Sequence, residues 1–426
     1  SRIRMTSLAD KAVQFHDGRS ILEYTESSCY FNGGQVRVEL LAGPRTRANR
    51  VRVVHAVVEP ADALPGPTTI CGTKDNRTFS TDPRVGRTSA RGCTGWLINK
   101  RTMVTAGHCT RTTASDMLSF NVPKSTSTGA KRQSHPNDQY AVDLNSLQRL
   151  SGGFGKDYAV ALLVRNSNTK KYPGEAQKQW FQLGTVPTST ATQNIRITGY
   201  GTTSPRNELN GAQKTHVGPM YQITSTYLRY RTDTTGGNSG SPVIQENTGQ
   251  AIGVHTHGGC RSSGTTNANY GTSISVFRSV ADAVLKSSGV GLIQSFGQGC
   301  KGTAGTPSLT ATGIADIGGN MVFVVQNVPS LAPGLLILGS SSTFNGSVKL
   351  PRDLTGVGMT GCSQLVSIIA ALSMNVGSSV ATLSDKIAFD FALVGIKVYL
   401  QHIVVDQKAN PFGAVVSNGL LVEISK

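Results

Sequence analysis

Short apolar segments separated by glycine and polar turns run from residue 71 to residue 290, and this pattern constrains the fold more than any other feature. The segments have the length of strands, and one helix is predicted over residues 276–286. The 426 residues include 48 glycines and 17 prolines, whereas only 15% are charged. This composition excludes a coiled coil, a collagen and a disordered polyelectrolyte. We therefore expect a globular, all-β protein.

Changes in composition divide the chain into four segments. Residues 1–70 contain alternating runs at 35–41 and 50–58 that predict half-buried strands, and we interpret this segment as an N-terminal extension or propeptide. The main domain is predicted over residues 71–290, followed by a glycine-rich linker at 291–306. Residues 307–426 contain regularly spaced strand-like runs, which are typical of a small β-sandwich.

Positive charge is concentrated in the middle of the chain. The net charge is +17, and residues 71–299 contain 25 basic and 11 acidic residues. Such a field attracts acidic peptides, nucleic acid or an anionic surface. The basic residues are scattered singly, which is typical of an ordinary solvated surface, and we expect no nucleic-acid partner. No run of 18 apolar residues occurs, so no transmembrane segment is predicted.

The cysteines indicate an oxidising compartment. None forms a C-x-x-C pair, so neither a zinc ribbon nor a thioredoxin-type site is supported. Their wide spacing favours disulfides and a secreted, extracellular protein. Because the count is odd, at least one thiol is free or paired with another chain. The chain begins at Ser1 without a basic and apolar leader, so we expect any signal peptide to have been removed or omitted. The seven cysteines are at positions 29, 71, 93, 109, 260, 300 and 362.

Two segments carry the residues that point to catalysis. Residues 92–110 read GCTGWLINKRTMVTAGHCT, in which an apolar strand leads to His108, with Cys93 and Cys109 close enough in sequence to join the flanking strands. Residues 233–243 read DTTGGNSGSPV and place Ser239 in a glycine-rich turn. In such a turn the backbone N–H groups of Gly237 and Ser239 can point to one position and form an oxyanion hole.

A serine hydroxyl is a poor nucleophile unless an imidazole removes its proton, and the imidazole needs an acid that fixes its tautomer. Asp157 in KDYAVALLV is the best candidate for this acid, because it directly precedes an apolar strand. Asp138 and Asp143 are nearer to His108 in the sequence, but they lie in a polar stretch. We therefore predict His108 as the base, Asp157 as the orienting acid and Ser239 as the nucleophile.

These residues resemble those of the chymotrypsin-like serine peptidases and, within them, the bacterial glutamyl endopeptidases. The resemblance rests on TAGHC, D-x-A-x-L-L and GNSGSP together and covers about residues 71–290. It implies two packed six-stranded β-barrels with the catalytic groups between them, an acyl-enzyme mechanism and no metal or organic cofactor. It also implies a disulfide between Cys93 and Cys109. Residues 75–88 resemble the start of mature glutamyl endopeptidases, which favours a removable or accessory N-terminus.

Two hypotheses compete for the substrate pocket. Asp233 lies six residues before Ser239, where trypsin-like enzymes hold the acid that receives arginine or lysine. His255 and Thr234 match the histidine and threonine with which glutamyl endopeptidases hold a substrate carboxylate. Because imidazole and hydroxyl groups donate hydrogen bonds to carboxylates, and because the domain is basic, we favour acidic protein or peptide substrates cleaved after glutamate, then aspartate.

The alternatives stay open from the sequence. They are a trypsin-like enzyme that uses Asp233, a structural role for His255, and a non-catalytic binding or adhesion protein on the same scaffold. Cys300 and Cys362 would pair within the C-terminal module, whereas Cys71 could pair with either Cys260 or Cys29. The C-terminal module carries no catalytic cluster; we favour a stabilising role, with association to a cell surface as the alternative. In some relatives a new α-amino group helps to bind the acidic side chain, which implies that an uncut chain is less active.

Overall fold

A computed structural model gives the fold of most of the chain. Within the part that it describes, strands predominate, and the chain divides into two compact units. None of the described helices has the length and hydrophobicity that a membrane-spanning helix requires. The first unit comprises Ser1–Phe181, Pro187–Asn247 and Ala251–Val284, and the second comprises Gln182–Val186, Thr248–Gln250 and Leu285–Lys426. The residues described are 1–44, 46, 49–58, 68–89, 91–112, 116–261, 263, 267–288, 292–313, 315, 317–388 and 390–424.

The first unit begins with a small antiparallel sheet in the order β2–β1–β3. Asp17 caps the short helix beside it by accepting backbone N–H hydrogen bonds at its N-terminus. The run at 35–41 therefore forms a strand as predicted, whereas the run at 50–58 does not. Residues 50–58 make no strand, because no segment within the described part of the chain pairs with them, and their valines stay exposed. The elements are β1 (Arg2–Ser7), β2 (Val13–His16), α1 (Gly18–Glu23), β3 (Val36–Leu41), β4 (Thr68–Thr69) and β5 (Thr78–Phe79).

The segment that follows α1 packs against the rest of the first unit. Tyr24 is fully buried, and its hydroxyl donates to the carbonyl of Gln139. The side chain of Gln139 in turn bonds both backbone groups of Tyr30. Cys29 is buried beside Tyr24 and takes no part in a disulfide. Burial raises the pKa of the Cys29 thiol well above its usual value, so this thiol stays protonated and packs as an apolar group.

Six strands close the first barrel in the order β10–β11–β8–β7–β6–β9. The barrel closes because β9 pairs with both β10 and β6. Large apolar side chains of its strands are fully buried, among them Trp96, Leu97 and Leu118. The strands are β6 (Val85–Thr88), β7 (Thr94–Leu97), β8 (Thr102–Thr105), β9 (Met117–Ser119), β10 (Gln139–Ser151) and β11 (Asp157–Leu163).

The second barrel closes through pairing of β12 with both β13 and β16, in the order β12–β16–β17–β18–β14–β13. Outside the ring, β5 pairs with β13, and β15 pairs with β4. The two six-stranded barrels and the helix predicted at 276–286 are therefore confirmed. The elements are α2 (Pro173–Gln177), β12 (Asn194–Gly199), β13 (Lys214–Ile223), β14 (Tyr227–Tyr230), β15 (Thr234–Thr235), β16 (Pro242–Gln245), β17 (Ala251–His257), β18 (Asn269–Ser273) and α3 (Ile274–Ser287).

The second unit consists of sheets, the larger two being β19–β31–β30–β22–β27 and β20–β21–β29–β28. Both line one apolar cavity of about 120 Å³, with Phe323 from one sheet and Leu336 and Leu400 from the other. The strands are β19 (Leu292–Phe296), β20 (Ser308–Gly313), β21 (Asn320–Gln326), β22 (Gly334–Gly339), β23 (Phe344–Asn345), β24 (Val348–Lys349), β25 (Arg352–Asp353), β26 (Ser363–Gln364), β27 (Ala370–Ser373), β28 (Asn375–Val376), β29 (Val380–Lys386), β30 (Lys397–Val405) and β31 (Ala414–Glu423). Four 3₁₀ helices complete the described elements: Gly107–Cys109, Pro136–Asp138, Thr355–Val357 and Phe391–Leu393.

A second segment differs from the sequence prediction. Residues 292–296 were expected to belong to a glycine-rich linker, but they form β19, which pairs along its whole length with β31. The physical reason is that no glycine lies between Gly291 and Gly297, and the intervening residues include apolar side chains that the sheet can bury. Ile293 is 7% exposed, and the ring of Phe296 lies directly against Gly419 of β31.

Candidate active site

His108 lies in the 3₁₀ turn that follows β8, and it is paired with the first residue of β11. The Oδ2 atom of Asp157 lies 2.6 Å from Nδ1 of His108, and Oδ1 accepts the backbone N–H of His108 at 3.0 Å. The Asp157 side chain is 2% exposed, whereas that of His108 is 37% exposed. The buried carboxylate therefore contacts both the ring and the backbone of His108. Its contact with the ring orients the imidazole and favours the tautomer with a proton on Nδ1, so Nε2 is left as a proton acceptor.

The turn before His108 admits no larger residue than glycine. A Cβ atom on Gly107 would lie 1.9 Å from the carbonyl oxygen of Leu150 in β10. Asp157 is also held from the second barrel, because the hydroxyl of Thr272 donates to its carbonyl at 2.8 Å. The sequence contains no local signal for the Thr272 contact, which joins residues 115 positions apart.

Ser239 lies in a tight turn between β15 and β16. The turn contains two glycines with positive φ, Gly237 at 101° and Gly240 at 88°, and a Cβ on Gly240 would lie 2.0 Å from the carbonyl oxygen of Thr94. The Ser239 hydroxyl donates to the carbonyl of Thr256 at 3.5 Å. In the part of the chain that the structure describes, it makes no hydrogen bond to His108, and the N–H groups of Gly237 and Ser239 have no internal acceptor.

Contacts at the start of β7 join the serine turn to the histidine turn. The N–H of Thr94 donates to the carbonyl of Ser239 at 2.8 Å, and its hydroxyl donates to the carbonyl of Gly237 at 2.8 Å. The preceding residue, Cys93, forms a disulfide with Cys109, which directly follows His108. The rings of His108 and His257 are also 5.9 Å apart, and His257 directly follows Thr256. Thr94, the disulfide and His257 therefore connect the turn that carries Ser239 with the turn that carries His108.

His255 lies on β17 and is 3% exposed. Its Nδ1 atom is 2.8 Å from the hydroxyl of Tyr230. Burial, with smaller contributions from His257 and His108, lowers the pKa of His255 to about 3, so the ring is neutral at neutral pH. When the Tyr230 hydroxyl donates to Nδ1, the ring proton is on Nε2, and His255 becomes a hydrogen-bond donor through that atom. Sequence reasoning missed Tyr230, which carries no motif.

Thr234 is fully buried, and its hydroxyl lies 2.6 Å from the hydroxyl of Thr69 in β4. The Thr69 hydroxyl also contacts the carbonyl of Thr234 at 2.9 Å, while its own carbonyl accepts from Asn269. A Cβ on Gly258 would lie 1.9 Å from the Thr69 methyl group. In the intact chain, therefore, Thr69 packs directly against the predicted pocket threonine.

Asp233 uses its carboxylate inside the fold. One oxygen accepts the N–H of Cys71 at 2.7 Å, and the other accepts the backbone and side-chain N–H groups of Asn76 at 2.8 and 3.0 Å. The side chain is 0% exposed. This carboxylate holds residues 71–76 against the segment that directly precedes β15, beside the disulfide that joins Cys71 to Cys260.

The disulfides also bear on metal binding. The structure joins Cys71 to Cys260, Cys93 to Cys109 and Cys300 to Cys362. Of the described residues, Cys93, His108 and Cys109 form the group whose ligand atoms lie within 4.8 Å of one another. Its two sulfur atoms are bonded to each other, so this group offers no thiolate to a metal ion.

Comparisons with known proteins agree with the architecture. The family model described as Trypsin matches residues 71–284, which is half of the chain. A glutamyl endopeptidase of Bacillus licheniformis is 33% identical over 184 residues, covering 40% of this chain and 52% of the relative. A protein of Bacillus subtilis named extracellular metalloprotease is 29% identical over 175 residues, covering 40% and 52%.

The matches are partial in length. The chain spans about half the length of the curated relatives that it matches. Among solved structures, a Glu endopeptidase in complex with MPD superposes with a TM-score of 0.39 at 20% identity, over 51% of this chain and 99% of that chain.

Proposed function

This chain belongs to the trypsin family of serine peptidases, and from that premise we propose that it is a secreted endopeptidase that cleaves after glutamate and, less well, after aspartate. The observation that carries the catalytic part is the buried Asp157 carboxylate 2.6 Å from Nδ1 of His108, with Ser239 in the adjoining turn. The relatives named glutamyl endopeptidases support the class of substrate.

The proposed mechanism follows from these positions. The Ser239 hydroxyl turns from Thr256 towards Nε2 of His108, gives up its proton and attacks the scissile carbonyl. The N–H groups of Gly237 and Ser239 stabilise the oxyanion, since neither is used inside the described fold. His108 then protonates the leaving amine, and water hydrolyses the acyl-enzyme. Asp157 orients His108 throughout and stabilises the imidazolium.

The pocket contacts favour glutamate over arginine or lysine. A buried, neutral His255 that donates through Nε2 can bind a substrate carboxylate without carrying a charge of its own. Asp233 is a weaker candidate for a specificity residue, because three N–H groups of the fold already occupy its oxygens. The trypsin-like alternative would require these bonds to break when substrate binds.

Replacing His255 with alanine is expected to reduce kcat/KM for a glutamate substrate by about 10- to 100-fold, with little effect on the matched glutamine substrate, because a hydrogen bond to a charged group is lost. Tyr230→Phe should lose part of the same preference, since the ring proton is no longer held on Nε2. The measurement is the Glu/Gln ratio of kcat/KM.

The low pKa of His255 makes this ratio insensitive to mild acid. Because the pKa is about 3, the imidazole stays neutral as the pH falls from 8 to 5, and the ratio should stay constant over that interval. A ratio that rises as the pH falls through 6.5 would mean that protonated His255 binds the substrate. A peptide library cut only after lysine or arginine would instead identify Asp233 as the specificity residue.

The contact between Thr69 and Thr234 is proposed to limit activity in the uncut chain. Thr69→Val removes the hydroxyl that bonds Thr234 but keeps the side-chain volume, so kcat/KM for a glutamate substrate should rise by about two- to tenfold. Thr78→Val, at an exposed position of β5, serves as the control. N-terminal sequencing must show that both variants are still uncut, and equal rates would exclude the inhibitory role.

The remaining proposals concern the flanking segments. Three disulfides favour an oxidising, extracellular compartment. We interpret residues 1–70 as an N-terminal extension of the peptidase domain at 71–290, and the C-terminal sheets as a stabilising module with cell-surface association as the alternative. N-terminal sequencing of secreted protein tests whether the extension is removed.

A further inference from the structure

A band of aromatic rings begins at His108 and extends over the second barrel. The ring centres of His108 and His257 are 5.9 Å apart, those of His257 and Phe154 are 4.8 Å apart, and those of Phe154 and Tyr270 are 4.6 Å apart. Phe154 is 56% exposed. These rings therefore form a continuous surface that starts at the proposed catalytic base.

Two arginines continue the band. Arg229 on β14 lies directly opposite Tyr270 on β18, and its guanidinium carbon is 4.7 Å from the centre of that ring and 5.0 Å from that of Tyr221. Arg231 lies 4.7 Å from the same Tyr221 ring. Arg229 points out of the barrel, because its neighbours on β14, Leu228 and Tyr230, are buried. Arg231 follows β14 directly and is likewise partly exposed between two buried residues.

We propose that this arginine–tyrosine surface binds acidic side chains that precede the scissile residue in an extended peptide substrate. The surface consists of Phe154, His257, Tyr270, Arg229, Tyr221 and Arg231. The inference rests on the proposed function, because it assumes that a substrate chain passes His108.

The position of the surface indicates which part of the substrate it contacts. His255, in the proposed pocket for the residue before the scissile bond, lies two positions before His257 on β17. The surface therefore continues from that pocket, and the residues that it meets are those further upstream in the substrate.

The chemistry of the surface selects carboxylates. Guanidinium groups bind carboxylates through parallel N–H donors, and stacking on tyrosine rings holds them in a fixed orientation, which lowers the entropic cost of binding. Arg229 is held further by a hydrogen bond to Gln222 at 3.3 Å, and Arg231 by one to the carbonyl of Asn267 at 3.3 Å. The excess of basic residues over 71–299 favours the same class of ligand.

The test measures binding of fluorescent peptides to the full chain with Ser239→Ala, so that no peptide is cut. Two peptides differ only upstream of the scissile residue, where one carries Asp and Glu and the other Asn and Gln. The acidic peptide should bind more tightly, by up to about fivefold for each arginine that it meets, and the difference should shrink at high salt. In parallel, kcat/KM of the active protein should show the same ratio.

The double variant Arg229→Gln with Arg231→Gln should abolish the difference between the peptides. Arg352→Gln, which removes the same charge from β25 in the other unit, is the matched control and should preserve it. Equal affinities of the two peptides for the protein with both arginines present would overturn the proposal. A difference in peptide affinity that persists in the double variant would also overturn it. So would an oligonucleotide that displaces the acidic peptide at lower concentration than the peptide itself binds.

Failure of the proposed function can be told apart from failure of this inference. The peptide pairs are made with glutamate and with arginine at the scissile position. If the protein prefers arginine at the scissile position, the proposed preference for glutamate is wrong. The acidic and amide peptides of each pair can still be compared, because they share the same scissile residue. If no peptide is cut, the binding comparison alone decides whether the surface recognises acidic side chains.

Discussion

Ser239→Ala is expected to lower kcat/KM for peptide hydrolysis by about four to six orders of magnitude, because it removes the atom that forms the acyl-enzyme. The N–H groups around the turn stay in place, so substrate binding should change little. Single-turnover kinetics with a glutamate substrate give the rate of acylation. A fluorophosphonate probe should label the unsubstituted protein at Ser239 and should leave the variant unlabelled.

Ser241→Ala is the matched control for this experiment. Ser241 lies in the same turn, is fully buried, and has a hydroxyl without a hydrogen-bond partner in the described structure. Removing that hydroxyl should therefore preserve activity and labelling. If Ser239→Ala keeps its activity, the nucleophile is another group. If the unsubstituted protein is never labelled, a binding protein on a peptidase scaffold becomes the better interpretation.

The barrels and the relation between His108 and Asp157 could be predicted because their signals are local. A strand that ends in a glycine turn carries His108, and a carboxylate immediately before an apolar strand carries Asp157. Each signal lies within a few residues, and strand alternation determines which way the next side chain points. The glycines around Ser239 likewise mark a turn with positive φ, which glycine adopts without strain.

The contacts of the pocket were harder to predict from the sequence, because they join segments that are far apart along the chain. The Tyr230 hydroxyl contacts Nδ1 of His255 from another strand, and the Thr69 hydroxyl contacts that of Thr234 across 165 positions. The same holds for Asp233, whose spacing from Ser239 fits a specificity residue, although the fold uses its carboxylate to hold residues 71–76. Spacing places a residue in a pocket wall, but it does not say which partners occupy the side chain.

The sequence pattern also gave wrong expectations for two flanking segments, again because the outcome depends on distant parts of the chain. The run at 50–58 alternates like a strand but has no partner strand among the described residues, whereas residues 292–296 lack a strong pattern and nevertheless pair with β31. Whether an extended segment becomes a strand depends on a neighbour with free backbone groups, which local sequence does not encode.

Asp157→Asn is expected to lower kcat by about 10⁴ while the fold stays intact. An amide of the same shape can still accept one hydrogen bond from the backbone N–H of His108, but its NH₂ group would face Nδ1 and favour the tautomer with the proton on Nε2. His108 could then no longer accept the serine proton, and the imidazolium would lose its counter-charge. KM should change much less than kcat.

Asp138→Asn provides the comparison that makes this result specific. Asp138 is also an acid near His108 in the sequence, but its carboxylate accepts from the Asn121 side chain at 2.8 Å instead. Its replacement should leave kcat within about twofold, since it removes only a surface interaction. A larger loss for Asp138→Asn than for Asp157→Asn would mean that Asp157 does not orient the base. Because both variants remove one acidic charge, the comparison separates orientation of His108 from the general electrostatic field of the domain.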